Sequence, residues 1–307
     1  MNVLRRADDP LLPLSFPNVS LGPKTARNNG CGCGFTLKCF NTISDVGVMI
    51  SRGMYLKDHK TVVRSGKPQV HLEPILVSVI TLLLEDIKQV KSKVQGSVND
   101  VITGLIYYAI HLYMFKKEKD LRGKRMTSLA MLNMRSLTGF SNIDEMMKAG
   151  IWGNGSITLS MPIPTFIPEK HIDCDPLEFI RRAKKNMKRI RHSMLVQFTM
   201  PLAKMLKRVK GAEGLAEFVY STMKNTTTLI TNVIGPHEKM AMVGCPVSDF
   251  YYIVTGIPQR LIFTVISYLG SLKVAVTMEK DFIDFQLFTF CMNEAFQKIL
   301  QAACDKN

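Results

Sequence analysis

The chain has 307 residues, 46% of them apolar, and its 40 Lys+Arg against 25 Asp+Glu give a formal charge of +15. Apolar content this high, with only 21% charged residues, excludes global disorder. Seven cysteines, an odd number in so long a chain, exclude a small disulfide scaffold and suit a reducing compartment or a cytosolic membrane face.

The opening MNVLRRADDPLLPLSFP has no apolar core behind Arg5 and Arg6, so it is not expected to be a signal peptide. Residues 1–34 are predicted to be an irregular linker, punctuated by Pro10, Pro13, Pro17, Pro23 and the glycine-rich run to Gly34. Cys31, Cys33 and Cys39 lack the second spaced pair of a structural zinc site and are expected to be exposed thiols in that flexible segment.

Thr81–Lys93 is predicted as a short helix with Leu83, Ile87, Val90 and Val94 on one side, stopped by Gly96. Ser97-Val98-Asn99-Asp100 then matches a capping box. The helix it opens carries Ile102, Leu105, Ile106, Ala109, Ile110 and Tyr113, and ends at Lys116 and Lys117. Its apolar run, Val101–Phe115, is too short to cross a bilayer comfortably. Strands are expected at Ser128–Asn133 and Ser156–Pro164.

Pro176 starts a long helix with Leu177, Ile180, Met187, Ile190 and Met194 on its apolar face, and a second helical stretch surrounds Leu202, Met205, Leu206 and Val209. Thr226–Ile234 and Ile262–Tyr268 are strand-like, and Leu272, Val274, Val276 and Met278 alternate in a further strand. Leu269-Gly270-Ser271 is the hairpin turn between the last two. Phe285, Phe288, Met292, Phe296 and Ile299 mark a C-terminal helix. Antiparallel-looking strands with flanking helices make the fold α/β of the mixed α+β kind.

Between Phe179 and Ala212 stand eleven Lys/Arg and no Asp or Glu. On an amphipathic helix such a face can lie on anionic lipid headgroups, meet the phosphates of a nucleotide-bearing ligand, or simply be solvated. Nucleic acid is disfavoured, because no aromatics are interleaved to stack on bases. There is no G-x-S-x-G, P-loop or G-x-G-x-x-G motif, and the six histidines are isolated; His171 sits near Asp173 and Asp175 in what looks like helix capping. Asn99-Asp100 and Asn232 stand out by position, at a helix start and at a strand end before Gly235-Pro236. Local hydrogen bonding, capping for one and turn closure for the other, is the alternative reading.

At these residues a family resemblance appears. LEDIKQVKSKVQGSVNDVITGLIYYAI resembles the helix–NDV–helix segment of the plant-type wax ester synthase/diacylglycerol O-acyltransferase family. LAMLNMRSL, WGNGSITLSMPIP, ITNVIGP and the SY-x-G-x-L hairpin are similar to later blocks of that family, in order. The resemblance implies the second lobe of a two-lobed fold of the chloramphenicol acetyltransferase and condensation-domain type, truncated at the N-terminus. It implies transfer of a fatty acyl group from acyl-CoA, a co-substrate, to a long-chain alcohol or diacylglycerol, with no other cofactor and no metal.

The family base is the second histidine of HHxxxDG, and this chain has no His-His pair. It is therefore expected to hold no catalytic residue and to be inactive alone, as residues 1–69 (linker and first-lobe remnant) and 70–307 (second lobe, with the C-terminal family domain from about 165). With most of a lobe gone, the Val101–Phe115 helix would lack part of its cover. The implied site residues are Asn99, Asp100 and Asn232 at the substrate cleft. Arg181, Lys184, Lys185, Lys188, Arg189 and Arg191 are expected at a membrane or anionic-ligand surface. Peripheral association with the cytosolic face of the endoplasmic reticulum or plasma membrane follows, and a non-catalytic membrane-surface or lipid-binding module is the alternative.

Overall fold

The computed structural model describes residues 4–9, 33–67, 73–118, 123–133, 148–150, 156–165, 175–191 and 195–305. In chain order its elements are β1 (Leu4–Arg6), α1 (Cys33–Met54), β2 (Ile75–Leu83), α2 (Leu84–Val94), α3 (Val98–Lys117), β3 (Thr127–Asn133) and β4 (Ser156–Pro162). There follow α4 (Pro176–Arg191), α5 (Leu195–Lys224), β5 (Thr228–Val233), β6 (Met240–Met242), β7 (Cys245–Pro246), β8 (Leu261–Tyr268), β9 (Ser271–Glu279) and α6 (Phe285–Cys304).

Six strands form one sheet in the order β2-β9-β8-β5-β3-β4, and β1-β6-β7 form a small second one. The main sheet is mixed. β5 runs parallel to both β8 and β3, whereas the β2–β9, β8–β9 and β3–β4 pairs are antiparallel. This corrects the antiparallel expectation: β5 and β8 are both buried along most of their length, and their relative direction depends on the long connection between them.

The core lies where α3 meets the sheet. Leu105, Ile106, Tyr107, Ile110 and Met114 of α3 pack with Phe263 and Val265 of β8, Val274 and Val276 of β9, and Phe288 and Met292 of α6. Val101–Met114 is covered almost throughout within this chain by the sheet, α4 and α6, more fully than the expected partial loss of cover, while Phe115 is exposed. Gly104 makes that packing possible, because a Cβ there would stand 2.6 Å from the Ile180 Cα of α4. At the polar edge of the core, Tyr107 and Ser128 share a 2.5 Å hydrogen bond.

Two segments depart from the sequence reading. Thr81–Leu83, expected in a helix, are the end of β2, which pairs with β9 from Ile75↔Glu279 to Leu83↔Ser271. Strand alternation buries Ser78, Ile80 and Leu82 and turns Leu83 outward, 61% exposed; Ile87 and Val90 keep their inward helical positions on α2. The expected N-terminal linker contains ordered elements. Leu4–Arg6 pairs with β6, and the helix α1, unforeseen in the sequence, packs on α5. Cys39 is a half-buried free thiol on α1, while Cys31 and the side chain of Cys33 lie outside the described residues.

Elsewhere the expectations held closely. Ser97 and Asp100 form the reciprocal capping box, with Ser97 N donating to Asp100 Oδ2 at 2.7 Å and Asp100 N to Ser97 Oγ at 3.2 Å. Lys116 and Lys117 end α3 and ion-pair with Glu294 of α6 and with its N-cap Asp284. Pro176 opens α4 beside Asp175, which accepts from Leu177 N at 3.0 Å. β8 and β9 are joined by the two residues Leu269 and Gly270, both at positive φ, the backbone of a type I′ hairpin. The second helical stretch exists within α5, but Met205 and Val209 are 59% and 75% exposed rather than packed.

Candidate functional site

Two of the three residues singled out in the sequence meet at one end of the sheet. Asn232 follows Thr231 on β5, and Asn99 stands in the first turn of α3; although 133 residues apart, they are joined by a hydrogen bond from Asn232 Nδ2 to Asn99 Oδ1. Asn99 is exposed and Asn232 half-buried. An asparagine has two amide donors and an acceptor, so the pair keeps donors beyond the one that links it. Asp100 differs: it is 4% exposed and its Oδ2 is engaged in the capping box, with Oδ1 buried. It holds the helix start that carries Asn99.

The turn after β5 is fixed by the second family-like segment. Gly235 N donates to Ser267 Oγ at 3.3 Å, and a Cβ at Gly235 would lie 1.9 Å from Ser267 O. The ITNVIGP glycine and the serine of the SY-x-G-x-L hairpin are therefore two halves of one close approach. The next residue, Tyr268, donates its hydroxyl to Val247 O at 2.8 Å and accepts from Met240 N at 2.9 Å, tying β6 to the sheet. Tyr252 lies by β5, its hydroxyl 3.2 Å from Thr231 Oγ1, while burial raises its pKa.

The basic face of α4 is partly engaged within the protein. Arg181 pairs with Asp175 and Glu178, Arg189 with Asp45 at 2.6 Å, and Lys184 Nζ donates to Val94 O. Lys185 and Lys188 are exposed, and the Arg191 side chain lies outside the described residues. Of the histidines, His171 alone has an aspartate four residues on, Asp175, but Lys170 precedes it and Pro176 follows Asp175 where HHxxxDG has His and Gly. His171, His71 and His192 lie outside the described residues. His59 accepts from Arg125 N at Nδ1, and His111 is buried among Tyr108, Phe115 and Phe179.

One assembly had no counterpart in the sequence reading. Asp58, its side chain fully buried, receives Arg52 Nη1 at 3.1 Å, Thr127 N at 2.7 Å, Thr127 Oγ1 at 3.0 Å and Thr227 Oγ1 at 2.8 Å. It ties α1 to the starts of β3 and β5. An acid in the polar stretch KDHKT, six residues after Arg52, was the available signal; its partners at 127 and 227 were not.

Residues 152–300 match the family model described as WS/DGAT C-terminal domain. Over 260 residues the chain is 27% identical to wax ester synthase/diacylglycerol acyltransferase 6 of Arabidopsis thaliana, covering 78% of this chain and 49% of that protein. Over 286 residues it is 27% identical to wax ester synthase/diacylglycerol acyltransferase 7 of the same plant, covering 87% and 58%. The chain thus spans about half the length of the curated relatives it matches. The wax ester synthase/diacylglycerol acyltransferase from Marinobacter aquaeolei VT8 superposes with a TM-score of 0.51 at 12% identity, over 88% of this chain and 58% of that one. The nonribosomal peptide synthetase FmoA3 does so with 0.51 at 11%, over 87% and 25%. These likenesses show that the chain shares the mixed α/β fold of part of each of these proteins.

Proposed function

We propose that this chain, whose residues 152–300 match the WS/DGAT C-terminal domain, is a member of the wax ester synthase/diacylglycerol acyltransferase family and serves fatty acyl transfer from acyl-CoA to a long-chain alcohol or diacylglycerol. The observation that carries this reading is the Asn99–Asn232 bond, which unites the two family-like segments at one end of the sheet. Amide donors held on a helix start and a strand end are suited to bind an acceptor hydroxyl or a thioester carbonyl oxygen as charge develops on it. A hydroxyl attacking a thioester must also lose its proton, and the 307 residues contain no HHxxxDG to take it. The base therefore comes from a polypeptide that carries the motif.

The test is thiol release from palmitoyl-CoA in the presence of a long-chain alcohol. The chain alone should give none above background, and co-expression with the HHxxxDG-bearing half of a relative should restore it. Asn232→Ala should then lower turnover with the fold intact. Saturable release by the chain alone would refute the assignment of the base, and unchanged turnover in the variant would leave Asn232 a turn former.

A second reading, a lipid-surface module docked at the cytosolic face of the endoplasmic reticulum or plasma membrane, has its own observation. The α1–α5 layer exposes Phe40, Ile43, Met54, Met205 and Val209 beside Lys204, Lys207, Arg208 and Lys210. No described helix is long and apolar enough to cross a membrane. Near an anionic surface each basic residue contributes about 1 kcal/mol. Flotation with phosphatidylserine vesicles should fall more on changing these four cations to Gln than on changing Lys184, Lys185 and Lys188. Equal flotation of all forms, or indifference to salt, would remove this reading.

A further inference from the structure

The loop after α1 walls a cleft of about 230 Å³ at the N-terminal ends of β5 and β8. Lys57, Lys60, Arg64, Lys67, Lys224 and Arg260 line it, against two acids, Asp58 and Glu279. Both acids are already neutralised. Asp58 faces Arg52, which lies outside the lining, and Glu279 takes Lys67 Nζ at 3.1 Å and Ser65 Oγ at 2.8 Å. With Lys67 engaged by Glu279 and Glu73, the cleft is still left cationic by folding, not by the basic run at 181–210, since its cations come from three distant segments.

Arg64 is held by backbone carbonyls rather than by a carboxylate. Its Nη1 donates to Asp58 O at 2.8 Å, its Nη2 to Lys224 O at 2.8 Å and its Nε to Thr226 O at 3.3 Å. Carbonyl dipoles fix the guanidinium, and the nearby Asp58, which acts on its charge, is itself paired with Arg52. Burial accordingly lowers the pKa of Arg64, and that of Arg260 as well. Gly66, at φ +65, lets the Lys60 stem lie across the loop, where a Cβ would meet Lys60 Cε at 3.1 Å. The Arg64 guanidinium with Lys60 and Lys224 at the rim matches the oxygens and multiple charge of phosphate better than a single carboxylate. The volume is below that of a pocket for a whole drug-sized ligand, which begins at about 300 Å³, and fits a head group.

We propose that this cleft binds a phosphate-bearing ligand through Arg64, Lys60 and Lys224. The site is distinct from the Asn99–Asn232 pair, which lies about 20 Å away at the other end of β5, six residues on at ~3.3 Å each. It does not depend on the acyl-transfer reading. Free organic phosphates and lipid head groups share this chemistry, and the experiment separates them.

The full 307-residue chain is titrated calorimetrically with inorganic pyrophosphate, coenzyme A and phosphatidic acid vesicles, each against chloride at matched ionic strength. Saturable pyrophosphate binding is expected. Lys60→Gln and Lys224→Gln should each weaken it about tenfold, the size of one hydrogen bond to a charged group, while Lys60→Arg and Lys224→Arg retain it. Both lysines are exposed, so an unchanged thermal midpoint verifies the fold. Coenzyme A binding assigns a soluble source, and vesicle binding assigns a lipid head group. Pyrophosphate heats equal to those of chloride, or equal affinity in the glutamine variants, would overturn the proposal.

Discussion

Replacing Asp58 by alanine should be among the most damaging single changes in this protein. The carboxylate is fully buried, and it accepts from the Arg52 guanidinium, the Thr127 amide and the Thr127 and Thr227 hydroxyls. Arg52, itself only 5% exposed, would keep Thr127 Oγ1 at 2.5 Å but lose its counter-charge. Breaking a buried ion pair from one side costs about 3–5 kcal/mol, because the remaining charge stays desolvated. That is a large share of the roughly 5–15 kcal/mol that holds an ordinary domain folded. Adding Arg52→Met to Asp58→Ala removes the orphaned charge and should recover part of the loss, giving a coupling energy of about 1–3 kcal/mol. Urea unfolding followed by circular dichroism, at unchanged m-value, reads all four corners of the cycle. A loss below about 1 kcal/mol for Asp58→Ala, or additivity within about 0.5 kcal/mol, would refute the reasoning.

Three further outcomes are expected. Gly104→Ala should destabilise, since overpacking against the Ile180 backbone costs about 1–3 kcal/mol and exceeds the roughly 1 kcal/mol that alanine gains in a helix interior; a rise in the denaturation midpoint would contradict the close α3–α4 approach. Asp284, the N-cap of α6, is held below the ordinary aspartate range by Leu287 N and then by Lys117. Its contribution is present above the unfolded value and lost as pH falls through the folded one, so Asp284→Asn should flatten the acid limb of a thermal-midpoint profile. Cys291 is buried and its thiol is pushed up to about 11 by burial, whereas Cys245 and Cys304 are exposed. At pH 8 a maleimide should label the latter two in the native state and reach Cys291 only after unfolding; native labelling of Cys291 would place it wrongly.

Much of the local structure was written in the sequence because its causes are local. The box from Ser97 to Asp100, the I′ turn at Leu269-Gly270, the proline start at Pro176 and the spacing of Phe288, Met292 and Phe296 each depend on residues within a few positions of one another. At Thr81–Leu83 a strand and a helix start compete in the sequence, and nine rungs of pairing with β9 decide for the strand. The motif residues Asn99 and Asn232 were identifiable one by one, and the family-like segments gave their order along the chain. That they touch, that Gly235 and Ser267 form one contact, that β5 runs parallel to its neighbours, and that Arg64, Lys224 and Arg260 gather around one cleft all rest on pairings more than 30 residues apart. Such contacts carry no periodic signature in a sequence. They arise when burial of the α3 core brings distant strands into register, so only the tertiary structure could decide them.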